Sequence, residues 1–239
     1  MRRFAWVLFL LALLPSRAPA QVKDDLGFFA EEPLGLQVKT FLLALGPDAT
    51  MNCYAAWDPG TGEALVIDPG VPAPEVAEFI RASELKVLAV LHTHGHTDHV
   101  GGVEYLAEQL AVPAYLHPAD RSLAAGAVGA GFFFRPYPDD GRLRLGGLEL
   151  EIIATPGHTP GSVCLRAGNL LFSGDTLFAG AVGKGHGDSA ARRRASLQRE
   201  IEAIRRRLLV LPAMTRVLPG HGPSTTVDAE KGANPFLRE

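Results

Sequence analysis

Residues 92–99 read HTHGHTDH, which places His92, His94, His96, Asp98 and His99 within eight positions of one another. A single histidine is commonly a packed or hydrogen-bonded residue, because a neutral imidazole has only one donor and one acceptor to satisfy. Four imidazoles and a carboxylate in one octet instead concentrate the nitrogen and oxygen ligands that divalent transition metals bind. In an extended backbone positions i and i+2 project to the same side, so His94 and His96 can grip one cation while the residues after them turn toward another. Only distant parts of the chain can complete such a ligand set. Three segments offer one ligand-type residue each: TPGHTPGS around His158, FSGDTLF around Asp175 and LPGHGP around His221. Each is a glycine-rich turn after an apolar run, where a side chain is held at the edge of a sheet.

The elements that must position these residues follow from hydrophobic periodicity and turn residues. β-like runs at 37–45, 51–57 and 63–67 are bounded by turn signals such as GPD and DPGTG. A helical pattern covers 74–83, the apolar run KVLAVL precedes the histidines as a buried strand, a helix is expected near 100–111, and a strand at 113–116. Residues 126–142 break every period and read as a loop over a site or a connector. Strands are expected near 143–154, 162–166 and 169–172, a long helix over 189–210 and a strand at 215–218. Two β-rich halves with helices point to a layered α/β sandwich.

A chain of 239 residues, 47% hydrophobic and 21% charged, fits one globular domain. The first twenty residues stand apart. Arg2 and Arg3 precede the apolar run FAWVLFLLALL, and Ala18, Pro19 and Ala20 supply an A-x-A cleavage pattern, so residues 1–20 are expected to be an export signal cleaved after Ala20. An uncleaved anchor is the alternative, although eleven apolar residues are short of the ~20 that span a bilayer. A periplasmic or secreted protein with no stable membrane association is therefore expected. Removing residues 1–20 takes away Arg2, Arg3 and Arg17 and no acid, so the net charge of −3 becomes −6. A mildly acidic protein gives no reason to expect nucleic acid, and the expected partner is a small-molecule substrate. The runs Arg192–Arg194 and Arg205–Arg207 are interleaved at helical spacing with Leu197, Ile201, Ile204 and Leu208, and read as the solvated face of one amphipathic helix. Cys53 and Cys164 lie in apolar, strand-like stretches and read as buried thiols, with a disulfide open in an oxidising compartment.

HxHxDH at 94–99, then PGH at 156–158, GD at 174–175 and PGH at 219–221, resembles in order and spacing the metallo-β-lactamase-fold hydrolases, across essentially all of residues 21–239. The resemblance implies one hydrolase domain folded as an α/β, four-layer αβ/βα sandwich with two divalent metal ions. It implies His94, His96 and His158 on one ion, Asp98, His99 and His221 on the other, and Asp175 bridging them. Zinc is the expected metal, with iron or manganese used by relatives. Asp98 is also expected to be catalytic, orienting a hydroxide shared by the ions. His92 stands where the family usually has an apolar residue and is expected to be structural.

Within the superfamily, a bridging Asp175 points away from the true β-lactamases and toward the glyoxalase II group. The stretch GDTLFAGAVGKGHGD resembles the glyoxalase II segment whose lysine contacts the glycine carboxylate of glutathione. That lysine maps onto Lys184, and His186 stands where that family often has a tyrosine; both are expected to contact substrate, with a solvated surface lysine the alternative for Lys184. The ending GHGPSTTVDAEKGANPFL resembles the short bacterial glyoxalase-II-like hydrolases. The implied reaction is hydrolysis of a hydroxyacylglutathione-like thioester. Lactone, phosphodiester or β-lactam hydrolysis on the same two ions and a mononuclear iron persulfide dioxygenase are the alternatives.

Overall fold

The computed structural model describes residues 35–137 and 140–238; the expected export signal at 1–20 lies outside them. Strands β1 (Gln37–Gly46), β2 (Ala49–Trp57) and β3 (Glu63–Ile67) form an antiparallel meander. Helix α1 (Pro74–Ala82) opens on Pro74, whose fixed φ and missing N–H suit a first helical position. It returns the chain to β4 (Lys86–Leu91), parallel to β3. Helices α2 (Thr97–Val100) and α3 (Val103–Leu110) lead to β5 (Ala114–Leu116), and a 3-10 turn (Pro118–Asp120) and α4 (Arg121–Ala124) lead to β6 (Phe134–Pro136). The first sheet runs β1-β2-β3-β4-β5-β6.

The second half begins with the hairpin β7 (Gly141–Leu145) and β8 (Leu148–Ala154), followed by β9 (Val163–Ala167) and β10 (Leu170–Gly174). A small ribbon of β11 (Leu177–Phe178) and β12 (Ala181–Val182) precedes α5 (Ala190–Ala203), which runs on through one π-helical turn at Ile204–Leu208. Strands β13 (Arg216–Pro219) and β14 (Thr225–Thr226) and helix α6 (Val227–Ala233) complete the described chain. The second sheet runs β14-β13-β10-β9-β8-β7, with β13 parallel to β10.

Period-2 alternation assigns each strand's two faces to two different cores. In the first sheet, Met51, Cys53, Ala55, Val66 and Val90 pack against Val76 and Ile80 of α1 and Val103 and Leu106 of α3. Their neighbours Tyr54, Ala56, Leu65, Ile67 and Leu91 turn the other way, onto Leu150, Ile152, Leu165, Phe172 and Leu218 of the second sheet. The far face of that sheet, including Cys164, Leu171 and Val217, packs on Ile204 and Leu208 of the π turn and Val227 of α6. Helix, sheet, sheet and helix therefore stack in the expected αβ/βα order.

Three sequence expectations are corrected. The segment 126–142, expected to be a loop, contains β6, because buried Phe134 and parallel pairing with β5 extend the first sheet by one strand. The helix expected near 100–111 begins instead at Thr97 and breaks at Gly101–Gly102, so Asp98 and His99 occupy a helical turn. The packed face of α5 carries the buried Ser196 and Glu200 beside the expected Ile201, which is half-buried against the core, while Leu197 is only half-buried.

Cys53 and Cys164 are free, and they lie in different cores on opposite sides of the sandwich. Burial pushes the Cys164 thiol up to about 12 and raises that of Cys53 well above its ordinary value, so both stay neutral. Cys53→Ser and Cys164→Ser are each expected to leave metal content unchanged and to lower stability by about 1–3 kcal/mol, the cost of burying an ill-matched hydroxyl. Urea unfolding with elemental analysis checks this, and loss of an ion from either variant would put a thiol in the site.

Candidate metal centre

The seven candidate ligands expected from the sequence come together along one rim of the two sheets. His94, His96, Asp98 and His99 follow β4, His158 lies in the β8–β9 connection, Asp175 follows β10 and His221 follows β13. Two groups form. Ligand atoms of His94, His96 and His158 lie within 4.8 Å of one another, and so do those of Asp98, His99 and His221. Asp175 stands between the groups: its Oδ2 is 3.5 Å from His158 Nε2, while its Oδ1 is 3.3 Å from His99 Nε2 and 3.7 Å from His221 Nε2.

Hydrogen bonds behind the rings decide which nitrogen each histidine presents. His158 Nδ1–H donates to the Lys184 carbonyl at 3.1 Å and His221 Nδ1–H to the Thr50 carbonyl at 2.8 Å. His99 Nδ1–H donates to Asp68 Oδ2 at 3.0 Å. The Thr93 hydroxyl donates to that same carboxylate at 2.6 Å, so it can only accept from His94 Nδ1–H, at 3.1 Å. Four rings are therefore locked with Nε2 facing inward. His94 Nε2 and His158 Nε2 approach His96 Nδ1 to 3.1 and 2.9 Å, and His99 Nε2 approaches His221 Nε2 to 3.4 Å. Lone pairs aimed at one another so closely repel unless a cation or proton lies between them. Asp175 Oδ1 is also buried with no hydrogen-bond partner. Inward-facing imidazoles anchored through the opposite nitrogen, with an orphaned carboxylate oxygen among them, fit divalent metal ions.

The two groups differ in proton content. Burial, aided by neighbouring imidazoles, holds His94 well below its ordinary pKa, and burial likewise lowers His96 and His158. These three rings are neutral at pH 7. Burial opposes a charged His99, but the neighbouring carboxylates of Asp175 and Asp68 overcome it and raise the ring to about 10. His221 is raised by its hydrogen bond to Asp98, and that same bond lowers Asp98. Positive charge on His99 thus offsets the carboxylates of this group where a metal ion would otherwise compensate them.

His92 stays outside both groups: its buried ring packs edge-on against Phe134 with centroids 5.6 Å apart, and its Nδ1 lies 3.1 Å from the His99 carbonyl. Lys184 and His186 are exposed, and both are tied to the rim by their backbones, Lys184 through its carbonyl and His186 through an N–H donated to Gly157 at 3.1 Å. Sequence reasoning missed Asp68, which receives the Thr93 N–H and hydroxyl as well as His99 Nδ1–H and adopts a left-handed φ of 51°. Its signal was a carboxylate directly after the apolar strand ALVI. It also missed Asp120, which no metal-ligand pattern would reveal.

The family model described as Metallo-beta-lactamase superfamily matches residues 48–221, a span that contains every one of these candidate ligands. The chain belongs to the metallo-beta-lactamase superfamily. As a member of that superfamily it is 31% identical over 201 residues to hydroxyacylglutathione hydrolase GloC of Haemophilus influenzae, covering 78% of this chain and 92% of the relative. Among solved structures, BLEG-1 B3 metallo-beta-lactamase is similar at a TM-score of 0.74 with 30% identity, covering 85% of this chain and all of that one. The di-iron-bound form of TTHA1623 is similar at a TM-score of 0.66 with 37% identity, covering 82% of this chain and all of that one. The superfamily binds divalent metals, and in this member clusters of histidine and aspartate side chains are of the kind that can hold them.

Proposed function

We propose that this superfamily member is a dinuclear metal-dependent hydrolase of thioesters whose acyl carrier is anionic, of the hydroxyacylglutathione type. The observation that carries the dinuclear reading is Asp175, which turns one oxygen to each ligand group and leaves the buried Oδ1 unpartnered. His94, His96 and His158 would hold one ion, Asp98, His99 and His221 the second, and Asp175 would bridge them. Two divalent ions in these places supply Lewis acidity toward a carbonyl oxygen and acidify water at neutral pH. Asp68, Thr93, Lys184 and Thr50 hold the ligand rings in orientation from behind. The Asp98 carboxylate, about two-fifths exposed and 3.4 Å from His221 Nε2, would orient the attacking water by accepting a hydrogen bond.

A thioester suits this arrangement because a thiolate leaves at a pKa of ~8.5 without a strong general acid, whereas an amide nitrogen must be protonated. The likeness to GloC supports the same class. Zinc is the proposed metal, with iron favoured if the likeness to di-iron TTHA1623 extends to metal choice. An exported location for the mature chain is part of the reading. Purified protein should carry two divalent ions per chain and turn over a glutathione thioester at least about a hundredfold faster than a lactone, a phosphodiester or a chromogenic β-lactam. A preference for the β-lactam would move the assignment toward the chemistry in BLEG-1's name, and one iron with oxygen consumption would replace hydrolysis by a dioxygenase reaction.

Lys184 offers the sharper test of the carrier. The His158 hydrogen bond pins its backbone at the rim while its side chain stays in solvent, placed to meet a substrate carboxylate. Lys184→Ala is expected to raise KM for a glutathione thioester about three- to tenfold, the scale of one solvent-facing charged contact, with kcat little changed. The contact is remote from the reacting carbonyl and acts alike on ground and transition states. A neutral thioester should show no difference, and 0.5 M salt should shrink the effect. Identical kinetics for both substrates would remove the anionic carrier and leave the two-metal hydrolase standing.

A further inference from the structure

We propose that Asp120 is a positioning residue for the His94/His96/His158 group, its carboxylate fixing the gap between the two loops that supply those rings. The inference rests on the dinuclear reading above. Asp120 ends the 3-10 turn after β5 and is fully buried. Its Oδ2 accepts the Gly95 N–H at 2.9 Å, and Gly95 is the residue between His94 and His96. The same oxygen accepts the hydroxyl of Thr159, the residue directly after His158. Its Oδ1 accepts the Gly161 N–H at 2.7 Å. One carboxylate therefore holds a loop of the first sheet and a loop of the second, each beside a ligand.

The chain makes room for this contact at both ends. A Cβ at position 95 would lie 2.6 Å from the Asp120 carbonyl oxygen and 2.9 Å from its Cβ, and one at position 161 would lie 2.7 Å from its Cγ. Neither glycine has a left-handed φ, so close approach to Asp120 is what the missing side chains permit. Thr159 is held in turn by Ser162, whose Oγ accepts the Thr159 N–H at 3.0 Å. The other ligand group is anchored elsewhere, His99 on Asp68 and His221 on Thr50. Asp120 thus acts on one group and spares the other.

An amide at position 120 keeps the shape but turns an NH2 toward at least one of the three donors, so one ligand loop must move. Zinc affinity should be measured by competition with a chromogenic chelator in two full-length backgrounds. One, Asp98→Ala/His221→Ala, retains the three-histidine group; the other, His94→Ala/His158→Ala, retains Asp98, His99 and His221. Asp120→Asn is expected to weaken zinc binding about 10- to 100-fold in the first background, the usual effect of losing a group that orients a ligand, and by less than about twofold in the second. If Asp120→Asn fails to fold, Thr159→Val, which removes one of the three donors, should show a smaller loss confined to the same background. Equal losses in both backgrounds, or none in the first, would overturn the positioning role alone. Absence of zinc binding by the first background before any change at 120 would overturn the dinuclear reading, and this inference with it.

Discussion

Asp175→Asn is expected to lower thioester turnover on the order of a thousandfold and to reduce the metal content from two ions toward one, with the fold retained. The carboxylate is placed between the two groups, 3.5 Å from His158 Nε2 through Oδ2 and 3.3 Å from His99 Nε2 through Oδ1. An amide of the same shape can present one oxygen to one side only, and it carries no charge to offset the second ion. A metal ion aligned on developing negative charge contributes several kcal/mol, and about 4 kcal/mol corresponds to the thousandfold loss. The fold should survive because the Asp175 Oδ1 makes no hydrogen bond that the core depends on. The variant also withdraws one of the two carboxylates that keep His99 charged in the metal-free chain. Elemental analysis and steady-state kinetics on the same preparation read both effects. Two tightly held ions with turnover within tenfold of the parent would remove Asp175 from the bridging role.

Glu200→Gln is expected to stabilise the metal-free protein at alkaline pH by up to ~5 kcal/mol while changing little at pH 4.5. Glu200 is fully buried on α5, with Oε1 accepting the Gly183 N–H at 3.1 Å and Oε2 without a hydrogen-bond partner. Burial, reinforced by the nearby Asp175 charge and only partly offset by Gly183, pushes its carboxyl up to about 8 from 4.5. Below pH 4.5 the group is protonated in both folded and unfolded chains and costs nothing. As pH rises toward 8 only the unfolded chain releases the proton, so stability falls across that window and stays reduced above it. Glutamine keeps the acceptor for Gly183 and removes the titration. Urea unfolding of both proteins at pH 5 and pH 8.5 gives the comparison, and a difference that does not grow with pH would refute the buried-acid account.

Glu200 also shows where sequence reading stopped. Helical spacing put Leu197 and Ile201 on the packed face, since apolar residues ordinarily occupy it, and Ile201 does pack there. The rest of that face lies against the His158 loop, where Ser196 donates to the Gly157 carbonyl at 2.7 Å and Glu200 meets Gly183. A helix that covers a ligand loop needs polar groups on its inner face to satisfy that loop's backbone, and nothing in the local sequence announces such a demand. Strand β6 escaped for a related reason. Three residues, FRP, carry too short an alternation to register, and they become a strand only because β5 offers an open edge.

By itself the sequence determined the candidate ligands and a layered α/β sandwich, and its resemblance to the metallo-β-lactamase-fold hydrolases implied the four-layer order. Seven candidate ligands were legible because they stand in turns directly after apolar runs, and because His94 through His99 are close enough in the chain for local geometry to relate them. The layering was legible because β-like runs and helical patterns recur in two halves of the chain, while the assignment of each face of β2, β4, β9 and β10 to its own core came from the structure. Tertiary structure alone decided how the site is held. His221 takes its tautomer from the Thr50 carbonyl, 171 residues away, and Asp120 reaches Gly161 across 41 residues. Such partners are carbonyls and carboxylates that any chain has in abundance, and only folding selects which of them a ligand ring or loop will meet.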